Sequence, residues 1–121
     1  MKTLMNILTV GLGGALGSMM RYGVTLLAGV AGWSGNLATM AVNIIGSFVI
    51  GYLSGAVKDA GLLLLLTVGI CGGFTTFSTF SLQSVRLLQE GRIGDAVLYI
   101  AGSMILCIIF AALGWKLATI R

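Results

Sequence analysis

The residues best suited to chemistry lie in one run, from Gly72 to Phe80, which reads Gly-Gly-Phe-Thr-Thr-Phe-Ser-Thr-Phe. The run places four hydroxyl groups and three aromatic rings within an otherwise apolar part of the chain. A helix that opens at Gly72-Gly73 frees backbone carbonyls and amides, which lipid cannot satisfy. Such backbone is stable at membrane depth only against protein, water or an ion, and transport proteins build ion sites in this way. The run therefore predicts a broken helix at an ion site.

Polar residues at helical spacing extend this site to three segments of the chain. Each residue alone favours a structural role, because Ser and Thr often bond back to their own helix and Phe usually packs. Residues three or four apart share one helix face, however, and three such faces together favour a polar path through the membrane. The faces comprise Thr76, Thr79, Phe80 and Gln83; Thr39 and Asn43; and Tyr99 and Ser103.

The charged residues indicate which ion such a path would carry. The three acidic residues, Asp59, Glu90 and Asp95, lie where the predicted spans end. Their position argues against proton-coupled antiport and against a cation pore with acidic rings. Hydroxyl and amide donors suit an anion, and the positive rim of a Phe ring can also face one. With no His and no buried carboxylate pair, the sequence does not predict an enzyme.

Composition indicates an all-α integral membrane protein with four transmembrane helices, the third of them broken near its middle. Of 121 residues, 58% are hydrophobic and 8% are charged, whereas a soluble domain carries about a quarter charged residues. Helices of about 20 residues cross a bilayer, so four of them fill residues 1–121 as a single domain. The predicted spans are Leu4–Gly29, Leu37–Val57, Gly61–Leu88 and Ala96–Leu117, joined by turns at Gly32–Asn36, Lys58-Asp59 and Glu90–Asp95.

Three further features have simple interpretations. Cys71 and Cys107 are isolated in apolar runs and are interpreted as small buried side chains rather than as a disulfide or a metal site. The net charge is +4 without a basic cluster, so nucleic-acid binding is not predicted. The start at Met1 could imitate a signal peptide, but the apolar run continues to Arg21, which favours a retained span.

The chain has 19 glycines and no proline. In a bilayer, glycines four residues apart let helix backbones approach closely, so they predict helix packing rather than chemistry. Such pairs occur at Gly13/Gly17, Gly51/Gly55 and Gly69/Gly73.

The basic residues give no clear orientation in the membrane. Orientation follows the balance of Lys and Arg, so a count of four against three leaves two alternatives: one orientation, or dual topology with an antiparallel dimer. Four thin helices enclose little space, so an oligomer is expected to complete any path. The predicted termini side carries Lys2, Lys58, Lys116 and Arg121, and the other side carries Arg21, Arg86 and Arg92.

The run from Gly72 to Phe80 resembles the signature of the Fluc/CrcB fluoride channel family, and the resemblance covers essentially the whole chain. It includes Gly-Ala-Leu-Gly before Arg21-Tyr22, the run Val42-Asn43-Ile44, and Tyr99 with Ser103. It implies a passive, fluoride-selective channel that exports fluoride from the cytoplasm and confers fluoride resistance. It also implies a dual-topology antiparallel homodimer with two pores, in the bacterial inner membrane.

The resemblance further implies roles for single residues. A structural sodium ion at the dimer centre is held by the backbone carbonyls of Gly72 and Thr75, and the ring edges of Phe77 and Phe80 face fluoride. Where some relatives carry Glu, this chain has Gln83, whose amide still donates and accepts. The other implied pore residues are Asn43, Ser78 and Thr79. The implied polar track consists of Thr39, Gln83, Tyr99 and Ser103, and the implied vestibule residue is Arg21.

Two other functions share some of these features. A small multidrug exporter also has four spans, but it needs a carboxylate embedded in its first span, which this chain lacks. A non-transporting assembly protein would use the glycine faces to bind other helices. The sodium ion has two alternative roles, an electrostatic one that lowers the barrier to the anion and a purely structural one.

Overall fold

The computed structural model describes residues 1–120, which are almost entirely helical. Within this part of the chain, four helical stretches are long and apolar enough to cross a membrane: Lys2–Val30, Gly35–Ala56, Ala60–Gln89 and Ile93–Thr119. The protein is therefore an all-helical, multi-pass membrane protein, and the four predicted spans are confirmed to within a few residues. Arg121, which the charge count placed on the termini side, lies outside the described residues.

Three spans are single helices, and the third is assembled from consecutive pieces. The single helices are α1 (Lys2–Val30), α2 (Gly35–Ala56) and α6 (Ile93–Thr119). The third span comprises α3 (Ala60–Leu64), a π-helical segment (Leu65–Cys71), α4 (Gly72–Phe74) and α5 (Phe77–Gln89).

Local residues explain where the turns between spans fall. Gly32 and Gly91 have φ angles of 84° and 75°, in the left-handed region that favours glycine. The Ser34 hydroxyl caps α2 by accepting a backbone N–H at 3.2 Å, and the Asp59 carboxylate caps α3 in the same way at 2.8 Å. These short turns keep consecutive spans close to one another.

The backbone of the third span leaves the helical conformation at Thr75 and Thr76. Thr75 has φ −85° and ψ 160°, and Thr76 has φ −147° and ψ 121°. The opening predicted at Gly72-Gly73 is wrong in position, because both glycines belong to α4 and Gly72 has helical angles of −62° and −37°. Gly73 is needed for packing instead, since a Cβ there would lie 2.9 Å from the Gly14 Cα of α1.

Glycines set the contacts that hold the third span and α6 in place. A Cβ on Gly13 of α1 would lie 2.8 Å from the Gly69 Cα, so the two backbones touch at this point. Gly114 of α6 packs on α2 in the same way, and a Cβ there would lie 3.0 Å from the Tyr52 nitrogen. A Cβ on Gly51 would likewise lie 2.9 Å from the Ala111 carbonyl carbon. The close crossings predicted from the glycine pairs are thus confirmed.

One cluster of buried apolar residues lies between α5 and α6. It consists of Phe80, Leu87, Ala96 and Tyr99. Many large apolar side chains are exposed along the outer helix faces, as expected of helices that face lipid. The cluster fixes the positions of Phe80 and Tyr99, two of the predicted site residues.

Candidate functional site

Asn43 of α2 holds the extended backbone at Thr76. Its Nδ2 donates to the Thr76 carbonyl at 3.0 Å, and its Oδ1 accepts from the Thr76 N–H at 2.8 Å. One side-chain amide thus satisfies both backbone groups of a residue that has left the helix, which a membrane interior requires. Asn43 therefore fixes the point at which the third span departs from helical geometry.

The same geometry frees two carbonyls. In a continuous helix the Thr76 N–H would bond to the Gly72 carbonyl, but here it donates to Asn43. Likewise, the Thr79 N–H would bond to the Thr75 carbonyl, but it donates to the Thr76 Oγ1 at 3.2 Å. The carbonyls of Gly72 and Thr75 have therefore lost their helical donors. Unwound backbone carbonyls of this kind coordinate sodium in transport proteins.

The Gly73 carbonyl, which follows that of Gly72, is bound by side chains of α1. The Gly73 carbonyl accepts from Arg21 Nε at 3.2 Å and from the Ser18 hydroxyl at 3.5 Å. In a continuous helix the Gly73 carbonyl would accept from the Phe77 N–H. The Arg21 guanidinium therefore substitutes for this missing backbone donor. Arg21 therefore supports the interrupted third span, and the vestibule role that the family resemblance implies for it stays a prediction.

A cavity of about 170 Å³, here called the hydroxyl cavity, lies between α1, α2 and α5. The Tyr99 hydroxyl donates to Gln83 Oε1 at 2.6 Å, whereas the Gln83 Nε2 group at the cavity wall donates to no residue from 1 to 120. Thr76 Oγ1 donates to Thr79 Oγ1 at 3.1 Å. The predicted site residues that line this cavity are Arg21, Thr39, Thr76, Thr79 and Gln83.

A second cavity of about 170 Å³, here called the ring cavity, adjoins the aromatic side chains of α5. The Phe77 and Phe80 ring centroids lie 5.4 Å apart at 48°, and those of Phe80 and Tyr99 lie 5.2 Å apart at 44°. Such tilted pairs turn ring edges toward their surroundings. The lining comprises Asn43, Phe77, Phe80, Ser103, Met104, Cys107 and Ile108, none of them charged.

Ser103 places an unpaired hydroxyl at the ring cavity. Its side chain is only 4% exposed, and its Oγ has no hydrogen-bond partner among residues 1–120. Buried hydroxyl groups are nearly always bonded, so an unpaired one beside a cavity marks a candidate binding position. The two rings differ in setting, because Phe80 is 7% exposed whereas Phe77 is 71% exposed.

Some residues did not fall where the sequence placed them. Ser78 is exposed and lines neither cavity, although its hydroxyl lies 3.4 Å from the Thr76 hydroxyl. Cys71 is buried as predicted, but Cys107 is only half-buried and lines the ring cavity. The spacing of Cys107, four residues after Ser103, was a signal that could have placed it on the polar face of α6.

Comparison with known proteins identifies the family. A sequence model of the family described as "CrcB-like protein, Camphor Resistance (CrcB)" matches residues 8–115. The chain belongs to the CrcB family. The matched part of this CrcB-family chain contains every residue of the two cavities, and the resemblance inferred from the sequence is confirmed.

Individual CrcB-family relatives are similar over most of their length, and the three named here are each called "Fluoride-specific ion channel FluC". The protein of Methylobacterium sp. (strain 4-46) is 48% identical over 106 residues, which cover 84% of this chain and 86% of the relative. A protein of Thermus thermophilus is 46% identical over 116 residues, with 91% and 92% covered. The protein of Ruminiclostridium cellulolyticum is 42% identical over 124 residues, with 98% and 95% covered.

The candidate site of this CrcB-family chain therefore has two adjoining parts. Thr76 lines the hydroxyl cavity, and its hydrogen-bond partner Asn43 lines the ring cavity. The hydroxyl cavity offers hydroxyl and amide donors, and the ring cavity offers ring edges and the unpaired Ser103 hydroxyl. This arrangement can replace the hydration of a small anion without a fixed charge that would trap it at the rings.

Proposed function

We propose that this protein is a fluoride-selective passive channel that lets fluoride leave the cytoplasm and so confers fluoride resistance. The observation that carries the proposal is the ring cavity, where the unpaired Ser103 hydroxyl lies beside the Phe80 ring. The names of relatives that are 42% to 48% identical point to the same ion.

The chemistry of the cavity suits fluoride. Fluoride is small and strongly hydrated, so a path must offer many donors in place of water. The Ser103 hydroxyl and the Asn43 amide are such donors, and the edges of Phe77 and Phe80 carry the positive part of the ring quadrupole. Because no charged residue lines the ring cavity, binding is weak enough to permit release.

We propose that the third span is broken at Thr75 and Thr76 to build a sodium site. The Gly72 and Thr75 carbonyls would hold the ion together with the same groups of a second copy, because their helical donors are diverted to Asn43 and Thr76. A bound sodium ion would supply positive charge near the anion path as well as rigidity. In this chain, Asn43 and Arg21 keep the surrounding backbone in place.

The channel would be an antiparallel, dual-topology homodimer in the bacterial inner membrane, each copy a single four-helix domain over residues 1–121, with two pores. Phe77 supports this proposal, since a ring that is 71% exposed in one chain becomes part of an enclosed pore only when a second chain covers it. The near balance of basic residues between the two membrane sides is compatible with insertion in both orientations.

The test is fluoride efflux from liposomes that contain purified Phe80→Ile protein, with Phe110→Ile as the matched control. Phe110 lines a separate apolar groove with Phe48, so its loss removes a ring away from the site. We expect Phe80→Ile to slow fluoride by at least about tenfold with the dimer intact, and Phe110→Ile to conduct normally. Wild-type flux in Phe80→Ile would refute the role of the ring edge.

Sodium has its own test. Replacing sodium by a large organic cation should lower the thermal stability of the dimer, because the Gly72 and Thr75 carbonyls would lose their ligand. If the stripped dimer stays assembled and its fluoride flux is unchanged, the electrostatic role is wrong and only a structural one is left. No effect on stability or flux would refute the sodium site itself.

A further inference from the structure

A polar cavity of about 310 Å³, here called the charged cavity, opens between the start of α2, the end of α5 and the turn before α6. It lies beyond the residues that the sequence assigned to the site, apart from Gln83. Its polar and charged lining residues are Ser34, Asn36, Gln83, Arg86, Glu90 and Arg92.

The charges around this cavity are paired unequally. Arg92 bonds to Asp95 through Nε at 2.9 Å and approaches Glu90 through Nη1 at 3.5 Å, so it engages both carboxylates of the turn. Arg86 is exposed, and its guanidinium forms no hydrogen bond or ion pair with any residue from 1 to 120. The two arginines and two carboxylates cancel in net charge, yet one guanidinium is free to bind an anion.

The charged cavity is continuous with the hydroxyl cavity. Gly35 and Gln83 line both. Because Gln83 Oε1 accepts from Tyr99, its Nε2 donors are available at this shared wall, where a Cβ on Gly35 would lie 3.5 Å from Nε2. Arg86 follows Gln83 by three residues and therefore shares its face of α5. From the turn inward, the lining therefore changes from the Arg86 guanidinium to the Gln83 amide and then to the threonine hydroxyls of the hydroxyl cavity.

We infer that Arg86 and Gln83 form an outer binding site for a small inorganic anion, at which the anion is captured before it enters the hydroxyl cavity. This inference rests on the proposed channel function and names the residue that captures the ion. Electrostatic capture raises the local concentration and the rate of entry of an oppositely charged ligand, and salt screens it. Because the neighbouring carboxylates offset Arg92, the capturing charge is that of Arg86.

The test compares charge variants in liposomes of zwitterionic lipid, so that the bilayer adds no net charge. Fluoride efflux is measured at ionic strengths of about 0.01 M and about 1 M, where the screening length is about 30 Å and about 3 Å. Arg86→Gln should lower efflux about threefold to tenfold at low ionic strength, and Glu90→Gln should raise it about twofold by removing a negative charge from the cavity lining, while Arg92 stays bound to Asp95. Both effects should disappear at high ionic strength.

Lys116→Gln is the matched control, because it removes the same charge from the last turn of α6 and does not line the charged cavity. It should conduct as the wild type does at both ionic strengths. A loss in Arg86→Gln that is equal at both strengths would mean a structural role and overturn the inference, as would normal efflux in that variant at low strength. A wild-type protein that conducts no fluoride would overturn the channel proposal as well, so the two failures are distinct.

Discussion

Replacing Asn43 by Ala tests how the interrupted backbone of the third span is held. The change deletes both hydrogen bonds to Thr76, at 2.8 and 3.0 Å, and leaves its N–H and carbonyl without a partner in a partly buried setting. Water cannot easily replace the amide at membrane depth. We therefore expect the protein to lose stability and the Thr76 backbone to become mobile.

The size of the loss follows from the two bonds. A hydrogen bond between helices in a membrane contributes about 0.6 kcal/mol on average and up to about 1.7 kcal/mol. Leaving a buried backbone group unsatisfied costs about 1–3 kcal/mol. For the two backbone groups of Thr76, we expect Asn43→Ala to lower the free energy of unfolding by about 2–4 kcal/mol.

Reversible unfolding in mixed micelles measures this free energy, and hydrogen exchange followed by mass spectrometry reports the Thr76 amide directly. Asn6→Ala is the matched control, because Asn6 is exposed on α1 and forms no side-chain hydrogen bond with the described residues. Asn43→Ala should unfold more easily than Asn6→Ala, and exchange at Thr76 should accelerate. Equal unfolding free energies within about 0.5 kcal/mol, with unchanged exchange, would refute the account of Asn43.

Two further comparisons test packing and the ring cavity. Gly17→Ala should destabilise the protein by at least about 2 kcal/mol, because a Cβ there would lie 2.8 Å from a backbone nitrogen of α4. Gly23→Ala in the same helix is the control. A Cβ at Gly23 meets nothing within 4 Å, so this change should be neutral or slightly stabilising. Unfolding in micelles decides this, and equal stabilities would contradict it. Ser103→Ala should leave stability unchanged or raise it by about 1 kcal/mol while slowing fluoride efflux, since its hydroxyl bonds to none of the described residues. Ser84→Ala, whose hydroxyl bonds to its own helix at 2.8 Å, should conduct normally, and slowed efflux in both variants would argue against a specific role of Ser103.

The spans and the glycine crossings were predictable because both depend on patterns that lipid imposes. Runs of about 20 apolar residues with few charges identify a membrane helix without tertiary information. Glycines four apart predict where backbones touch, and Gly13 and Gly69 do touch. The presence of a polar site in the third span was also visible, since hydroxyls rarely cluster in such a run without a partner.

The exact place of the interruption was not predictable from residue types. Gly72-Gly73 is the weakest helical sequence in the run, so an opening there was expected. Two tertiary effects move it, namely the close approach of α1 at Gly73 and the capture of the Thr76 backbone by Asn43 of another helix. The charged cavity was missed for a similar reason, because its arginines and α2 residues are brought together only by the fold.

The central claim is best tested by fluoride efflux from liposomes that contain only the purified wild-type protein. A fluoride electrode records efflux after the membrane potential is released by a potassium ionophore, and a chloride electrode records the matched control. The account predicts rapid fluoride efflux with chloride efflux no faster than that of protein-free liposomes. Fluoride efflux no faster than that of protein-free liposomes, or equal efflux of the two anions, would contradict it.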